Sequence, residues 1–229
     1  MNPVTIVTLS RYPDLFEGLQ NNLNEFAQGY DRILVKDGYL IDFEKDWLTA
    51  QGPKKFVYSV NANLGLKLVG PGSDVLLLGD DVRFVCHGCV DRLQSIAYHD
   101  SSVGLLSPKI RGAADNVLLT DPPHEALVYS ERYIPLVCTY IKRKVLDIIG
   151  LLDERFCEGW GYDDCDFSRR VRLAGFKLAV TPTVEVIHGV HRKGSETLIR
   201  NEKGDSQEMS RLDEVNAQIY EAKWGDRVK

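Results

Sequence analysis

The sequence lacks the long apolar run that a membrane-spanning helix requires, since no stretch approaches ~18–20 consecutive apolar residues. Its beginning also lacks the basic and apolar regions of a signal peptide, because one short apolar strand is followed by Pro13, Asp14 and Glu17. Both absences favour a cytoplasmic location. With 44% hydrophobic and 27% charged residues among 229, the composition is that of an ordinary soluble globular protein.

Three further absences narrow the class of function. There is no Lys/Arg-rich run and the formal net charge is −5, which argues against a dedicated duplex-DNA binder. Neither G-x-G-x-x-G nor a P-loop motif is present, which argues against a dinucleotide enzyme of the usual kind and a P-loop nucleotide hydrolase. The five cysteines favour reduced thiols over a disulfide framework, and the C-H-G-C at Cys86 to Cys89 has no second pair to complete a zinc site.

Hydrophobic periodicity predicts an α/β protein with a mostly parallel, doubly wound sheet. In the first half it predicts strands at 4–9, 32–36, 55–60, 74–79 and 103–107, and helices at 14–28, 62–69 and 87–99. After about Lys109 the pattern becomes irregular, with loops or a hairpin over 112–132. The second half contains predicted strands at 135–141, 177–181 and 184–188, and helices at 143–149, 163–174 and 207–223.

The densest chemical signal is D-V-L-L-L-G-D-D, which runs from Asp74 to Asp81. Its apolar centre is typical of a strand that is buried on both faces. Asp80 and Asp81 follow that strand at its carboxyl end, where open α/β sheets bind their ligands. Paired carboxylates there suit Mg²⁺ or Mn²⁺ and, through the cation, a diphosphate. The alternative is a polar strand exit with two solvated acids.

A second acidic cluster lies in G-W-G-Y-D-D-C-D-F, from Gly159 to Phe167. Asp164 falls on the apolar stripe of the helix predicted to follow, at its first turn. An acid at this position caps the helix, forms a hydrogen bond or faces a cleft. Backbone N–H groups at a helix start favour the ionised form, which suits a general base. Helix capping alone is the other interpretation.

Two candidates lie towards the C-terminus. His188 ends the apolar strand V-E-V-I-H and is either a metal ligand or a structural histidine. Arg192 lies in the polar, aperiodic stretch from Arg192 to Asp205, which the sequence indicates is a loop. Its guanidinium either contacts phosphate oxygens or belongs to a solvated basic loop.

Taken in order, these stretches resemble glycosyltransferase family 2, whose fold is GT-A, over nearly the whole chain. V-T-I-V-T-L-S-R-Y resembles the opening strand of that family, I-L-V-K-D-G its second strand, and L-L-L-G-D-D-V its D-x-D region. I-G-L-L-D-E-R-F, G-Y-D-D-C-D-F, A-G-F-K-L-A-V-T-P and V-I-H follow in the family's order and spacing. Asn216 and K-W-G at 223–225 match a common family ending.

The resemblance implies a role for each candidate residue. Thr8, Ser10 and Asp37 would hold the nucleoside of the donor, and Asp80 would contact its ribose side. Asp81 and His188 would bind a divalent cation, Mn²⁺ or Mg²⁺. Asp164 matches the catalytic base, whereas the acceptor would meet Trp160, Asp163 and the 112–133 region.

Three positions depart from the family pattern. Gly79 replaces the first acid of the D-x-D, Lys36 precedes Asp37 where an acid is frequent, and Asp163 stands where glutamate is usual. These departures bear on metal affinity and donor choice rather than on the fold.

The resemblance implies a single GT-A domain over 1–229, with a donor half at 1–109, an acceptor half at 110–205 and a C-terminal helix at 206–229. The expected sheet is central and mostly parallel, flanked by helices, with a small second sheet in the acceptor half. The implied activity is inverting, metal-assisted sugar transfer from a nucleotide diphosphate donor, a UDP-sugar by family frequency, to a hydroxyl. The acceptor would be a glycan, a lipid-linked molecule, a protein or a modified nucleobase.

Three other functions are weighed against this one. A nucleotidyltransferase that makes sugar nucleotides has a similar sheet, but T-L-S-R-Y-P lacks the glycines of its phosphate loop. A non-catalytic nucleotide-sugar binding protein would not need Asp81, Asp164 and His188 together. A viral-type transferase acting on hydroxylated DNA bases would share the donor half, and the net acidity argues weakly against it.

Overall fold

The computed structural model describes residues 1–37, 46–53, 56–112, 127–156, 161–189 and 206–227, with side chains of the last stretch from 214 onwards. The strands are β1 Val4–Ser10, β2 Asp31–Lys36, β3 Leu48–Gln51, β4 Asp74–Gly79, β5 Arg83–Phe84, β6 Val103–Gly112, β7 Val128–Ser130, β8 Cys138–Ile141 and β9 Lys177–His188. The helices are α1 Pro13–Phe26, α2 Tyr58–Leu68, α3 Cys89–His99, α4 Arg143–Ile149, α5 Asp163–Leu173 and α6 Ser206–Trp224.

The nine described strands form one sheet in the order β3-β2-β1-β4-β8-β6-β9-β5, and β7 also pairs with β9. Strands β3, β2, β1 and β4 are mutually parallel. Strand β8 runs antiparallel to both of its neighbours, β4 and β6, so β6 and its parallel partner β9 point the same way as β4. The expected central, mostly parallel sheet is confirmed. Among the described residues, the strands of the acceptor half join this sheet instead of forming a second one.

Helices cover both faces of the sheet because the side chains of each central strand alternate between two cores. Ile6 of β1 packs in the core that contains Leu19 of α1 and Leu93 of α3. Its neighbour Val7 packs in the opposite core with Leu66 of α2 and Phe167 of α5. Burial on both faces explains why β4 contains the uninterrupted apolar run from Val75 to Leu78, and every residue of β1 is likewise buried.

Strand β9 is continuous, although the sequence around Pro182 predicts two separate strands. Its pairing with β6 shifts register, so that Pro108 faces Thr181 whereas the next residue, Lys109, faces Glu185. The residues between Thr181 and Glu185 therefore bulge out of the ladder. A bulge accommodates a proline, which has no N–H to contribute to the pairing.

The region between β2 and β4 also differs from the prediction. The predicted third strand at 55–60 is wrong where the structure describes it, because helix α2 already begins at Tyr58. The third strand is instead β3, a short edge strand that pairs with β2 alone. In the described part of the chain, no helix is long and apolar enough to cross a membrane.

Candidate active site

The carboxyl ends of three neighbouring strands bring three predicted donor-binding residues to one edge of the sheet. Ser10 ends β1 and pairs with Lys36, so Asp37, the next residue after β2, lies beside it. The Asp37 amide donates a hydrogen bond to the Ser10 carbonyl at 3.0 Å. Gly79, at the end of β4, pairs with Leu9, which places Asp80 at the same edge. This is the edge at which open α/β sheets bind ligands.

Asp80 is held by the turn that connects β1 to α1. The Ser10 hydroxyl donates to its Oδ2 at 2.7 Å, and the backbone amides of Arg11 and Tyr12 lie 3.3 and 3.4 Å from the same oxygen. Burial nevertheless raises the pKa of Asp80 to about 7, and the neighbouring charge of Asp81 adds to the increase. The three hydrogen bonds act in the opposite direction because they favour the carboxylate.

Asp37 has no exposed surface and lies among polar groups from two other elements. The Arg11 Nε is 4.0 Å from its Oδ1, and the Asn61 amide of α2 donates to its Oδ2 at 3.4 Å. Thr8 lies two residues further inside β1 than Ser10 and is also fully buried. Within the described residues the Thr8 hydroxyl has no hydrogen-bond partner.

Asp81 and His188 face each other although 107 positions separate them in the sequence. The Nε2 of His188 lies 3.3 Å from the Oδ2 of Asp81, and both side chains are partly exposed, at 19% and 18%. A carboxylate oxygen and an imidazole nitrogen at this spacing suit Mn²⁺ or Mg²⁺ as two ligands of a larger shell. No group of three His, Cys, Asp or Glu side chains in the described ranges could hold a metal ion. Within the described ranges, Asp81 and His188 are therefore two candidate ligands that face each other.

Gly79 leaves Asp81 room to point this way. A Cβ built on Gly79 would lie 3.1 Å from Asp81 Oδ1, which is closer than ordinary van der Waals contact. Gly79, which stands where the sequence resemblance implies the first acid of a D-x-D, therefore gives Asp81 space.

The second acidic cluster begins helix α5, and a left-handed turn presents it. Gly161 and Tyr162 precede the helix with φ of 82° and 69°. The Asp164 amide donates to Asp163 Oδ1 at 3.0 Å, and the Cys165 amide donates to Asp164 Oδ1 at 2.7 Å. Burial raises the pKa of the partly exposed Asp164, whereas the hydrogen bond from the Cys165 amide lowers it. Both interpretations of Asp164, helix capping and general base, are compatible with this geometry.

Tyr58 of α2 relates this cluster to the end of β4. The Gly79 amide donates to the Val137 carbonyl at 3.1 Å, and the hydroxyl of Tyr58 donates to the neighbouring Leu136 carbonyl at 2.5 Å. Burial raises the pKa of Tyr58 well above its usual range, and the charges of Asp163 and Asp164 raise it further. Tyr58 therefore lies near the beginning of α5 and contacts the segment that pairs with the end of β4.

The other predicted contacts fall outside the described residues. These are Arg192 of the proposed phosphate loop, Trp160 of the proposed acceptor site, and the 113–126 part of the acceptor region.

The structure also adds residues that the sequence interpretation missed. Arg11 and Asn61 surround Asp37, and Tyr58 approaches the second cluster. Asn61 is fully buried on a helix that packs against the sheet. A buried asparagine within an apolar helical pattern is the signal that could have identified it.

No family model matches this sequence, and no curated protein matches it either. Solved structures do match. GalNAc-T7 with UDP, GalNAc and Mn²⁺ has a TM-score of 0.66 at 13% identity, over 97% of this chain and 50% of that one. The mannosyltransferase PcManGT from Pyrobaculum calidifontis, in complex with GDP-Man and Mn²⁺, has a TM-score of 0.67 at 13% identity, over 98% of this chain and 76% of that one. S. aureus TarS has a TM-score of 0.62 at 12% identity, over 97% of this chain and 44% of that one.

These likenesses concern the fold. The central, mostly parallel sheet and its flanking helices match GT-A glycosyltransferase structures, so the GT-A fold that the sequence resemblance implied is confirmed. The chain spans about half the length of the GalNAc-T7 structure.

Proposed function

We propose that this protein is an inverting glycosyltransferase that moves a sugar from a nucleoside diphosphate, most simply a UDP-sugar, to an acceptor hydroxyl. One observation supports the proposal: Asp81 and His188 face each other after β4 of a GT-A fold, and the Asp164 turn lies near Tyr58, which contacts the segment beside that strand. Two structures with this fold contain matching ligands, since GalNAc-T7 holds UDP and Mn²⁺ and PcManGT holds GDP-Man and Mn²⁺.

The donor would bind across the ends of β1, β2 and β4, within the half that spans 1–109. Asp37 and Thr8 would contact the nucleoside, while Ser10 and Asp80 would hold its ribose side. Asp37 is suited to accept hydrogen bonds from a base because its carboxyl group is an acceptor that lies at the end of β2, beside the Arg11 guanidinium. Arg192 would contact the diphosphate.

Asp81 and His188 would hold a divalent cation with one oxygen and one nitrogen, and the donor's diphosphate would complete the shell. When bound, Mn²⁺ or Mg²⁺ supplies Lewis-acid stabilisation of the charge that develops on the leaving diphosphate.

Asp164 would be the general base. Its carboxylate accepts the proton of the acceptor hydroxyl while that oxygen attacks the anomeric carbon, and the bond to the nucleoside diphosphate breaks on the opposite face. A pKa raised by burial makes the carboxylate a stronger base than an exposed aspartate. Asp163 and Trp160 would orient the acceptor, a glycan, a lipid-linked molecule, a protein or a modified nucleobase, in the half that spans 110–205.

The test measures nucleotide release from a panel of UDP- and GDP-sugars, with and without Mn²⁺. We expect Mn²⁺-dependent release of nucleotide from at least one donor. In the absence of an acceptor, water can attack the anomeric carbon in its place, so the donor is hydrolysed slowly. Asp164→Asn should reduce release by roughly 100-fold or more while leaving nucleotide affinity nearly unchanged. Asp147→Asn, on an exposed face of α4, is the matched control and should behave as wild type.

Two results would contradict the proposal. The first is no Mn²⁺-dependent binding or turnover of any nucleotide sugar by the folded protein. The second is equal turnover by Asp164→Asn and wild type. This result would show that Asp164 is not the general base, even if the protein transfers sugar.

A further inference from the structure

Helix α6 contacts the turn that carries Asp163 and Asp164 on both of its sides. Before the turn, the Asn216 amide donates to the Gly161 carbonyl at 3.3 Å. After it, the Trp224 indole N–H and the Lys223 ammonium lie 2.9 and 2.7 Å from Asp166 Oδ1. The C-terminal helix therefore brackets the acidic turn, although at least 40 residues separate the two along the chain.

The turn has a conformation that needs such support. Tyr162, with φ of 69°, is the one residue other than glycine in the left-handed region among those the structure describes. That region costs an L-residue with a Cβ roughly 1–2 kcal/mol. The Tyr162 ring also packs against Tyr220 of α6, with centroids 5.7 Å apart. The same helix thus contacts the strained residue and the carbonyl that precedes it.

The contact after the turn is a buried ionic cluster. Asp166 has no exposed surface and accepts a hydrogen bond from Arg170 Nε at 2.9 Å. Lys223 bridges Asp166 and Asp153, at 2.7 Å from each carboxylate. A charged group that is removed from water is destabilising unless it is paired with an opposite charge. This cluster therefore fixes the position of α5 against α6. Asn216, in contrast, is neutral and only 1% exposed, and can be replaced without leaving a charge unpaired.

We propose that Asn216 is a positioning residue for Asp164: by holding the Gly161 carbonyl it fixes the turn that directs the base at the acceptor hydroxyl. This inference rests on the proposed function. The ion cluster anchors the helix, whereas Asn216 acts on the turn itself. A misplacement of about 1 Å at a reacting group can cost 100-fold in rate, so a small relaxation of the turn is enough.

The experiment compares Asn216→Ala with Gln218→Ala, a control on the exposed face of the same helix. We expect Asn216→Ala to lower kcat roughly 10- to 100-fold while the donor KM and the Mn²⁺–nucleotide affinity change less than about twofold. The pH midpoint of kcat should shift because the Cys165 amide that holds Asp164 moves with the turn. Gln218→Ala should match wild type in every measurement.

Hydrogen exchange of the peptide spanning 161–166 tests the turn without any turnover. Its amides, among them Asp166 N–H bonded to the Tyr162 carbonyl at 2.8 Å, should exchange faster in Asn216→Ala than in Gln218→Ala. If Asn216→Ala does not fold, Asn216→Ser serves as a second variant. Serine is shorter than asparagine, but it fills more of the vacated space than alanine does.

Unchanged exchange, or a KM that rises as much as kcat falls, would overturn the positioning role. A wild-type protein that transfers no sugar would instead overturn the proposed function. In that case faster exchange of the 161–166 amides would still show that Asn216 holds the turn.

Discussion

The imidazole Nε2 of His188 lies 3.3 Å from the carboxylate of Asp81. This contact joins the end of β9 to the turn that follows β4. If this pair holds the cation, each member contributes one of few protein ligands. His188→Gln and Asp81→Asn should each weaken Mn²⁺ binding roughly tenfold or more. Electron paramagnetic resonance of free Mn²⁺, titrated with protein and UDP or GDP, measures this directly.

The exposed His99, at the end of α3, provides the control for that measurement. His99→Gln should bind Mn²⁺ as wild type does. If His188→Gln also retained full affinity for Mn²⁺ in the presence of nucleotide, the pair would have no role in holding the cation.

Asp80 should make the metal-free protein less stable as the pH rises. Its pKa in the folded protein is about 7 because of burial, above its ordinary value of 3.8. Between those values the folded protein retains a proton that the unfolded chain releases, so the free energy of unfolding falls as pH rises and levels off above 7. The total decrease in the free energy of unfolding is roughly 4 kcal/mol at most.

Urea unfolding in EDTA at pH 5 and pH 8 tests this linkage. Asp80→Asn cannot ionise, so it should be more stable than wild type at pH 8 and lose most of that advantage at pH 5. The exposed Asp147→Asn should shift stability equally at both values. An equal effect of Asp80→Asn at the two pH values would show that Asp80 does not carry this dependence.

The pH profile of kcat should reflect Asp164. Only the carboxylate form accepts a proton, and burial raises the pKa of this group. The rate should therefore be lost on acidification at a midpoint above the ordinary range of an aspartate. Nucleotide release at saturating donor and Mn²⁺, from pH 4 to pH 9, gives the midpoint. A flat profile down to pH 4 would exclude Asp164 as the titrating base.

Much of the fold could be predicted because central strands are buried on both faces and are therefore rich in apolar residues, as the run from Val75 to Leu78 in β4 shows. Strand β4 and helix α4 have the predicted bounds, and β1, β2 and α5 differ by one residue at one end. Edge strand β3 was missed because it lies largely exposed and is held by backbone pairing with β2, which leaves no side-chain pattern.

The segment before α2 was misassigned for a different reason. Phe56, Val57 and Tyr58 favour strands by their intrinsic propensity, yet Tyr58 begins a helix. Tertiary packing outweighs propensity here, because the helix places small residues such as Ala62 against the sheet.

The carboxylates of the candidate site could be predicted because they follow buried strands or open a helix, which are local features. Asp80, Asp81 and Asp164 all belong to such motifs. The long-range contacts could not be predicted, because Arg11 and Asn61 reach Asp37, and Asn216 reaches the Gly161 carbonyl, only after distant elements pack together. Long-range pairing leaves no periodic signal in one sequence.

The close approach of α2 to the sheet yields the last prediction. A Cβ added to Gly65 would lie 2.5 Å from Val7 Cγ1 and 3.1 Å from Val35 Cγ2. Gly65→Ala should therefore lower the free energy of unfolding by roughly 1–3 kcal/mol, against a gain of about 1 kcal/mol from helix propensity. Gly70→Ala, where the nearest atom is 3.9 Å away, is the control and should be nearly neutral.

Gly65→Ala should also affect the candidate site, because α2 carries Asn61, which contacts Asp37. Displacing the helix by a few tenths of an ångström lengthens a hydrogen bond that is already 3.4 Å, so nucleotide affinity should fall together with stability. Urea unfolding and nucleotide titration on the same samples separate the two effects. A stable Gly65→Ala protein with wild-type affinity would mean that α2 is not held against β1 and β2 as closely as described.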